Sequence, residues 1–550
     1  MPATRSQRAQ AAADRHVMRV RIVETDVCIV GSGISAAMVA WKLAETRRAQ
    51  VLVLEAGDEA PPQGDWHELR RRFLAYGESP WPRDHLDGLD VEGIQSRSMQ
   101  VGGLAMHWGG VTPRFSPEDF RVRSLYGVGA DWALTYEELD PFYQEAEAYM
   151  GVAGEQGPEV LDPRGKPFPL PALPLTYNLT KLKDWVAGAG IPMWSQPSAK
   201  LSVAREGRGA CCRNDTCFPI CPVGAKYSPD MTWRALRATG RVRLLPRTIV
   251  RRLTPKQGSS QIEMAEALQR DRPGEALQVR ANTFVIACGY AWSPYLLLMS
   301  TDARHPYGLA NSSGLVGKYL CGHRNVQAFI ELPMELYPGI NEQHSLVTKA
   351  FMRPNPSTAG RYLRHDLRVW ESSVSRGPRL RSDDGTLLLG DALLGDWRKR
   401  VEKGTARVRA YYDVLPARES ELTLDSSRKT SWGTPMPGVA MRDSGDSKAL
   451  RGYQEDEITK LFERLARAGN GRVLRKNVDE FQDHPAGGCR MGTDPGSSVV
   501  DSYGRTHDHD NLFVVGAPTM PTAGCANGTL TFCALSIRSA AKIGENLSKL

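Results

Sequence analysis

The chain has 550 residues, which at roughly 150 per domain points to two to four lobes. Its 41% apolar and 24% charged residues exclude a disordered chain, a collagen-like chain and a disulfide-stapled miniprotein. The net charge of +8 is mild for this length, and no basic block is interleaved with aromatics, which argues against a nucleic-acid partner. No segment reaches the ~20 apolar residues of a membrane-spanning helix. The longest apolar stretch, Thr283 to Ser300, is broken by Gly289, Ser293 and Pro294 and reads as a strand, a turn and a helix. Met1 to Glu24 carries several arginines without an apolar centre, so no secretory signal is expected. By itself the chain is expected in the cytoplasm, with any export arranged by a partner.

In chain order, Thr25 to Val30 is a β-rich run followed by Gly31-Ser32-Gly33-Ile34-Ser35-Ala36 and a helical pattern to Glu45. A second apolar run, Val51 to Leu54, ends in Glu55. Strand, Gly-rich turn, helix, strand and terminal acid make a dinucleotide site. Gly31 permits the tight turn, Gly33 lets backbone approach a pyrophosphate, and Ala36 lets helix and strand pack closely. The helix start offers N–H groups to phosphates, and Glu55 accepts from ribose hydroxyls. Lying at the N-terminus without a second complete copy, the motif suits FAD better than a shuttling nicotinamide. The decapeptide Val101 to Gly110 then sets Gly102, Gly103, Gly109 and Gly110 around His107 and Trp108, as backbone held against a ligand requires.

Residues 156–198 are Pro-rich and read as a crossing between lobes. Arg241 to Leu253, with Val250, reads as one strand. Thr283 to Ala287 is a buried strand ending in a Gly turn, with a helix over Trp292 to Met299. Residues 325–475 alternate short strands with charged loops and fit a substrate-facing lobe. In the last quarter, His484-Pro485-Ala486-Gly487-Gly488-Cys489 precedes a strand, Asn511 to Val515, then Gly516-Ala517-Pro518, then Asn527 before a closing helix. Six cysteines stand singly as small buried hydrophobes. The other four, Cys211, Cys212, Cys217 and Cys221, fall within eleven positions and read as a site.

These motifs resemble the glucose–methanol–choline (GMC) flavoprotein oxidoreductases over nearly the whole length. GSGISA with Glu55, VGGLAMHWGG, VIACGY, GLVGKYLCGH, HPAGGCRMG, NLFVVGAP and CANGTLTFCALSIRSA carry the resemblance. It implies an α/β fold: a Rossmann-type FAD-binding domain of discontinuous segments (22–155, 200–322, 476–550, with a cysteine loop at 208–228) behind an N-terminal extension, 1–21. A second, α+β domain (156–199, 323–475) would roof the substrate with an antiparallel sheet. His484 falls at the family's catalytic histidine and Asn527 at its second catalytic position. Val250, Gly516 and Ala517 fall at cofactor contacts, and His107 falls where some sugar-oxidising relatives hold FAD covalently. Without the family match, Asn527 would be an ordinary helix N-cap.

The cysteine loop departs from ordinary GMC oxidases and is similar to the iron–sulfur loop of the large subunit of bacterial sugar and polyol dehydrogenases. The spacing C-C-x4-C-x3-C is not the paired C-x2-C of zinc, and close thiols without His suit iron–sulfur ligation. Adjacent cysteines project apart, so three ligands remain, favouring a [3Fe–4S] centre through Cys217, Cys221 and one of Cys211 and Cys212, with Cys211 the preferred of the two. Structural disulfides are the alternative. The function implied is an FAD-dependent dehydrogenase acting on a hydroxyl of a sugar, polyol or sugar acid. Electrons would pass to a cytochrome-type acceptor, and a small companion subunit would arrange export towards the periplasm or membrane. The rival functions are an oxidase using O₂ and an electron-transfer subunit whose flavin pocket no longer turns over.

Overall fold

The computed structural model describes residues 19–548 except 46–48, 82–97, 273, 337–343, 355–360, 372–378, 383, 431, 444 and 480–482. Val27, Cys28, Ile29 and Val30 are buried on both faces, so the first strand is central. Five parallel strands run in the spatial order Val242–Leu245, Val51–Leu54, Arg19–Val30, Glu275–Ile286, Leu512–Val514. In chain order these are the third, second, first, fourth and fifth strands, the doubly wound arrangement of a dinucleotide-binding lobe. Its crevice opens beyond the carboxyl ends of the first and fourth. The helices Ile34–Glu45 and Thr529–Leu547 pack on each other, and the second also covers the helix Tyr136–Met150.

Three details differ from the sequence expectation. The first strand starts at Arg19, because Arg19 to Thr25 continues the pairing with Glu275 to Ala281; the sheet therefore takes residues from the supposed 1–21 extension. The supposed single strand Arg241 to Leu253 breaks at Pro246, which has no N–H to donate, and at Arg247, whose φ is 53°. Its second part, Thr248–Pro255, turns away to pair antiparallel with Ile262–Gln269. The hairpin Glu421–Lys429 with Pro435–Ala440 falls inside 323–475, yet it buries Leu422, Met436 and Val439 in the first core beside the helix Gly289–Met299.

The second sheet is antiparallel, in the order Arg472–Val478, Cys321–Leu332, Gly404–Asp413, Leu367–Glu371, Leu346–Thr348, Trp194–Ser195. Period-two alternation divides its faces. Val326, Ala328 and Ile330 with Ala406, Val408 and Ala410 form a second core with the helices Tyr177–Gly188 and Gly445–Ala468. His323 and Asn325, opposite Asp413 and Tyr411, occupy the other face. The short strand Asp483–Ala486 adds to Cys321–Leu332, with Asp483 against His323. That pairing carries the HPAGG turn to the edge of the second sheet. Among the described residues no helix is long and apolar enough to cross a membrane.

Candidate active site

The turn after Asp483–Ala486 needs glycine. Gly487 has φ 83°, and a Cβ there would lie 2.3 Å from the Tyr319 carbonyl oxygen. Gly487, Cys489 and Met491 then donate backbone bonds to Ala517, Pro518 and Thr519 at 3.0, 2.9 and 2.8 Å. This lashing holds His484 next to the end of the last parallel strand. The closing helix begins at Thr529 with Gly528, not Asn527, at its N-cap. Asn527 is thereby released from capping, and its Nδ2 lies 2.7 Å from His484 Nε2.

The proton on His484 follows from its other neighbour. Its Nδ1 is 2.8 Å from His323 Nε2, and His323 Nδ1 is 3.2 Å from the Gly524 carbonyl oxygen. A carbonyl only accepts, so His323 Nδ1 carries the proton and a neutral His323 Nε2 accepts. His484 Nδ1–H must then donate to it, and His484 Nε2 keeps its lone pair. Burial pushes His323 well below the ordinary histidine range. His484 is lowered too: burial, with Arg368 and Arg409, outweighs the opposing pull of Asp483. Both rings are thus held neutral, and Nε2 of His484 is a base by tautomer as well as by charge.

A second ring of residues fixes this pair. Asp483 accepts the backbone N–H of His484 at 2.9 Å and the Tyr411 hydroxyl at 2.8 Å. Burial works against the charge of its carboxyl, whereas the Tyr411 hydroxyl and the His484 backbone N–H stabilise it, and the carboxyl lies below the usual carboxylate range. The Tyr411 ring packs on His323 at 4.3 Å, with Arg409 over it at 4.2 Å. Arg368 gives Nε–H to Asp366 at 2.7 Å. Its Nη2, like Asn527 Oδ1, is buried without a hydrogen-bond partner among the described residues. Such orphans suit a site meant to receive a hydroxylated ligand.

The cofactor-type residues gather at the start of the helix Ile34–Glu45, whose first N–H groups lack intrahelical partners. Nothing lies within 4 Å of a Cβ built on Gly33, whereas one on Gly31 would meet the Ala287 carbonyl oxygen at 2.8 Å. Ala36 is fully buried against the sheet. Gly102 donates to Ser32 Oγ at 3.2 Å, and Gly103 is so near Gly33 that its Cβ would lie 3.2 Å from Gly33 Cα. Gly516 meets the same helix, with room for no side chain beside Ser35, and Ala517 follows it. Glu55 is buried and accepts from Ser32 N and Oγ and from Gly57 N at 2.9, 2.6 and 2.7 Å, so it braces the turn itself. Val250 lies in the first core, two residues beyond Thr248, which donates to the Glu55 carbonyl at 2.7 Å. The open approach over Gly33 and the helix start fit a pyrophosphate.

His107, Trp108 and half-buried Gly109 lie on the far side of the same loop. Trp108 donates to the Tyr227 carbonyl at 2.8 Å, and His107 Nε2 is 3.2 Å from Gln100 Nε2. Burial, then the charge of Lys226, lowers His107 to about 4. Beyond lies a pocket that all four clustered cysteines line, together with Lys200 and Lys226. Cys217 and Cys221 are buried, Cys211 is half-buried and Cys212 is exposed. All ten cysteines are unpaired, and among the described residues no three metal-ligating side chains stand in ion-binding geometry. Four thiols beside two buried lysines nevertheless form a donor set suited to an anionic, sulfur-ligated group.

Comparison with known proteins decides the family. A GMC oxidoreductase profile matches residues 416–536, and an NAD(P)-binding Rossmann-like profile matches 29–67. The chain is 31% identical to the fructose dehydrogenase large subunit of Gluconobacter japonicus, over 96% of this chain and 99% of that one. The chain belongs to the GMC oxidoreductases. It is an FAD-dependent oxidoreductase with the Rossmann-type lobe and antiparallel second sheet described above. It is also 29% identical to a 2-methyl-1,2-propanediol dehydrogenase of Mycolicibacterium austroafricanum, covering 96% of each chain. A paromamine 6'-oxidase of Streptomyces fradiae is 29% identical, with 95% of this chain and 92% of the other covered. Among solved structures, formate oxidase of Aspergillus oryzae RIB40 shares the fold at TM-score 0.64 and 15% identity, over 96% of this chain and 99% of that one.

Four residues of this GMC oxidoreductase escaped the sequence reading: His323, Tyr411, Asp483 and Lys226. His323 closes the GLVGKYLCGH motif and Asp483 precedes His484, so both stood in view without a role. Tyr411 and Lys226 carry no local signal.

Proposed function

We propose that this protein is a dehydrogenase that oxidises a hydroxyl-bearing carbon of a sugar, polyol or sugar acid. The observation that carries the proposal is the ordered chain Asn527, His484, His323, Gly524, which leaves a lone pair on His484 Nε2. FAD, when bound, supplies the hydride acceptor. His484 Nε2 takes the proton of the substrate hydroxyl, and Asn527 holds the same oxygen, so that deprotonation and loss of the C–H hydride occur at one carbon. His323 keeps His484 in the working tautomer. Gly31, Gly33, Gly102, Gly103, Gly516, Ala517 and the start of the helix at Ile34 hold FAD, with Ala36 and Glu55 bracing the turn and Val250 beside it. His107, in the Trp108–Gly109 loop, would carry a covalent bond to it.

The cysteine pocket extends this proposal. Cys217 and Cys221, with Cys211 ahead of Cys212, would hold an iron–sulfur cluster of the [3Fe–4S] kind. When bound it supplies one-electron acceptance. Phe218, between the ligands, is 61% exposed and offers a face to a cytochrome-type partner. The name of the Gluconobacter relative as a large subunit supports companion subunits, one of which, as part of this proposal, would arrange export.

Anaerobic mixing with a panel of aldoses, ketoses, polyols and aldonates is expected to bleach the flavin with at least one of them. Reoxidation is expected to be fast with an artificial one-electron acceptor and slow with O₂. Rapid peroxide release would make the protein an oxidase; absence of bleaching across the panel would leave it an electron-transfer subunit. Acid precipitation is expected to keep yellow colour in the pellet, and His107→Ala to release it. Flavin in the parent supernatant would make His107 a packing residue between Gln100 and the Trp81 ring, whose centroid lies 6.1 Å from its own.

A further inference from the structure

Lys226 joins the two halves of the proposed electron path. Its ammonium lies 3.2 and 2.7 Å from the carbonyl oxygens of Met106 and Trp108, the residues on either side of His107. The same nitrogen lies 2.7 and 3.3 Å from the carbonyl oxygens of Cys217 and Pro219, inside the cysteine loop. Its stem passes Gly110, where a Cβ would come 3.3 Å from Lys226 Cγ. One side chain therefore fastens the His107 loop to the cysteine loop.

Its charge is not cancelled there. Three ammonium hydrogens among four carbonyls satisfy hydrogen bonding, but carbonyl dipoles leave the net charge in place. Asp230, the acid nearest in sequence, is paired with Arg234 at 2.6 Å. Lys226 is 2% exposed; burial pulls its pKa down to about 8, Asp230 opposes this only weakly, and a buried charge so little compensated is costly. The pocket of four thiols that Lys226 lines is the place where negative charge would sit.

We infer that Lys226 is the positioning residue that couples the flavin loop to the cysteine pocket, and that its charge raises the reduction potential of the cluster held there. The inference rests on the iron–sulfur centre proposed above. A cluster gaining one electron becomes more negative by one charge, so a fixed neighbouring cation favours the reduced form. The structure gives Lys226 both tasks: the carbonyl bonds set the distance and the charge sets the potential.

Redox titration of the purified full-length protein, followed by electron paramagnetic resonance, tests this. Lys226→Gln keeps two N–H donors for the carbonyls but removes the charge; Lys226→Met removes both; Lys226→Arg keeps the charge. The cluster signal is expected to move to more negative potential in Lys226→Gln and Lys226→Met, and to stay nearer the parent in Lys226→Arg. Loss of iron from both neutral variants, with flavin retained and with iron retained in Lys226→Arg, also supports the role. Iron retained in Lys226→Gln at an unmoved potential overturns it and leaves the cluster proposal standing. A parent protein without iron overturns the cluster proposal itself.

Discussion

The His484 cleft and the cysteine pocket are built on opposite principles. Around His484 every proton has an assigned place: the Gly524 carbonyl fixes His323, His323 fixes His484, and Asp483 with Tyr411 fixes the backbone beneath them. The groups left over, Asn527 Oδ1 and Arg368 Nη2, are neutral or already ion-paired. The cysteine pocket gathers thiols beside buried ammonium groups, and in the function proposed above an anionic guest completes it. The first site is organised by the chain alone, whereas the second, as proposed, would depend on what it holds. Oxidation of substrate and onward delivery of electrons should therefore be separable by mutation.

The largest expected effect falls on the second site. Cys217→Ser and Cys221→Ser should each lose the iron signal and all transfer to a cytochrome-type acceptor, while substrate still bleaches the flavin. Cys212→Ser, exposed on the loop, should be the mildest of the four. Iron-free parent protein with full activity toward its physiological acceptor would break the comparison, because the pocket would then be structural. Next in size is His484→Ala, expected to lower the rate of flavin reduction by about two to four orders of magnitude, the span of a lost general base. Iron and flavin contents should be unchanged. A rate within tenfold of the parent would remove His484 from its role.

His323→Ala sharpens the account of the first site. It leaves the His484 Nδ1–H without its partner, at a cost of about 1–3 kcal/mol, or about 5- to 160-fold in rate. The drop should appear in kcat more than in KM, and an unchanged kcat would show that tautomer control lies elsewhere. Asn527→Ala should act mainly on substrate positioning and be milder than His484→Ala. The smallest effect is a displacement of the pH profile. His484 works neutral and titrates below the ordinary histidine value, so kcat/KM should hold at neutral pH and fall only as pH drops through that lowered pKa. Asp483 alone among its charged neighbours pulls the pKa upward, so Asp483→Asn should move the acid limb to lower pH. Arg409→Ala, removing a cation, should move it to higher pH. Displacement in the opposite direction for both would refute the electrostatic account.

What the sequence determined by itself is local. The GSGISA turn, its flanking strands and Glu55 are consecutive residues whose spacing follows from the geometry of one strand–turn–helix unit, so the dinucleotide lobe could be read from pattern alone. The four cysteines declared themselves within one loop, and the HPAGG and GAP motifs marked their turns through glycine and proline. What the tertiary structure decided is whatever depends on pairing distant strands. His323 meets His484 across 161 residues because Cys321–Leu332 takes Asp483–Ala486 as an antiparallel neighbour, and no periodicity announces that register. Tyr411 reaches Asp483 by the same sheet, and Pro246 with Arg247 split a run whose hydrophobic pattern reads as one strand. Lys226 looks like any surface lysine until two loops close over it and leave its charge inside. A proton's place on a ring, and a buried cation's need for an anion, are set by neighbours that only folding brings within hydrogen-bond distance.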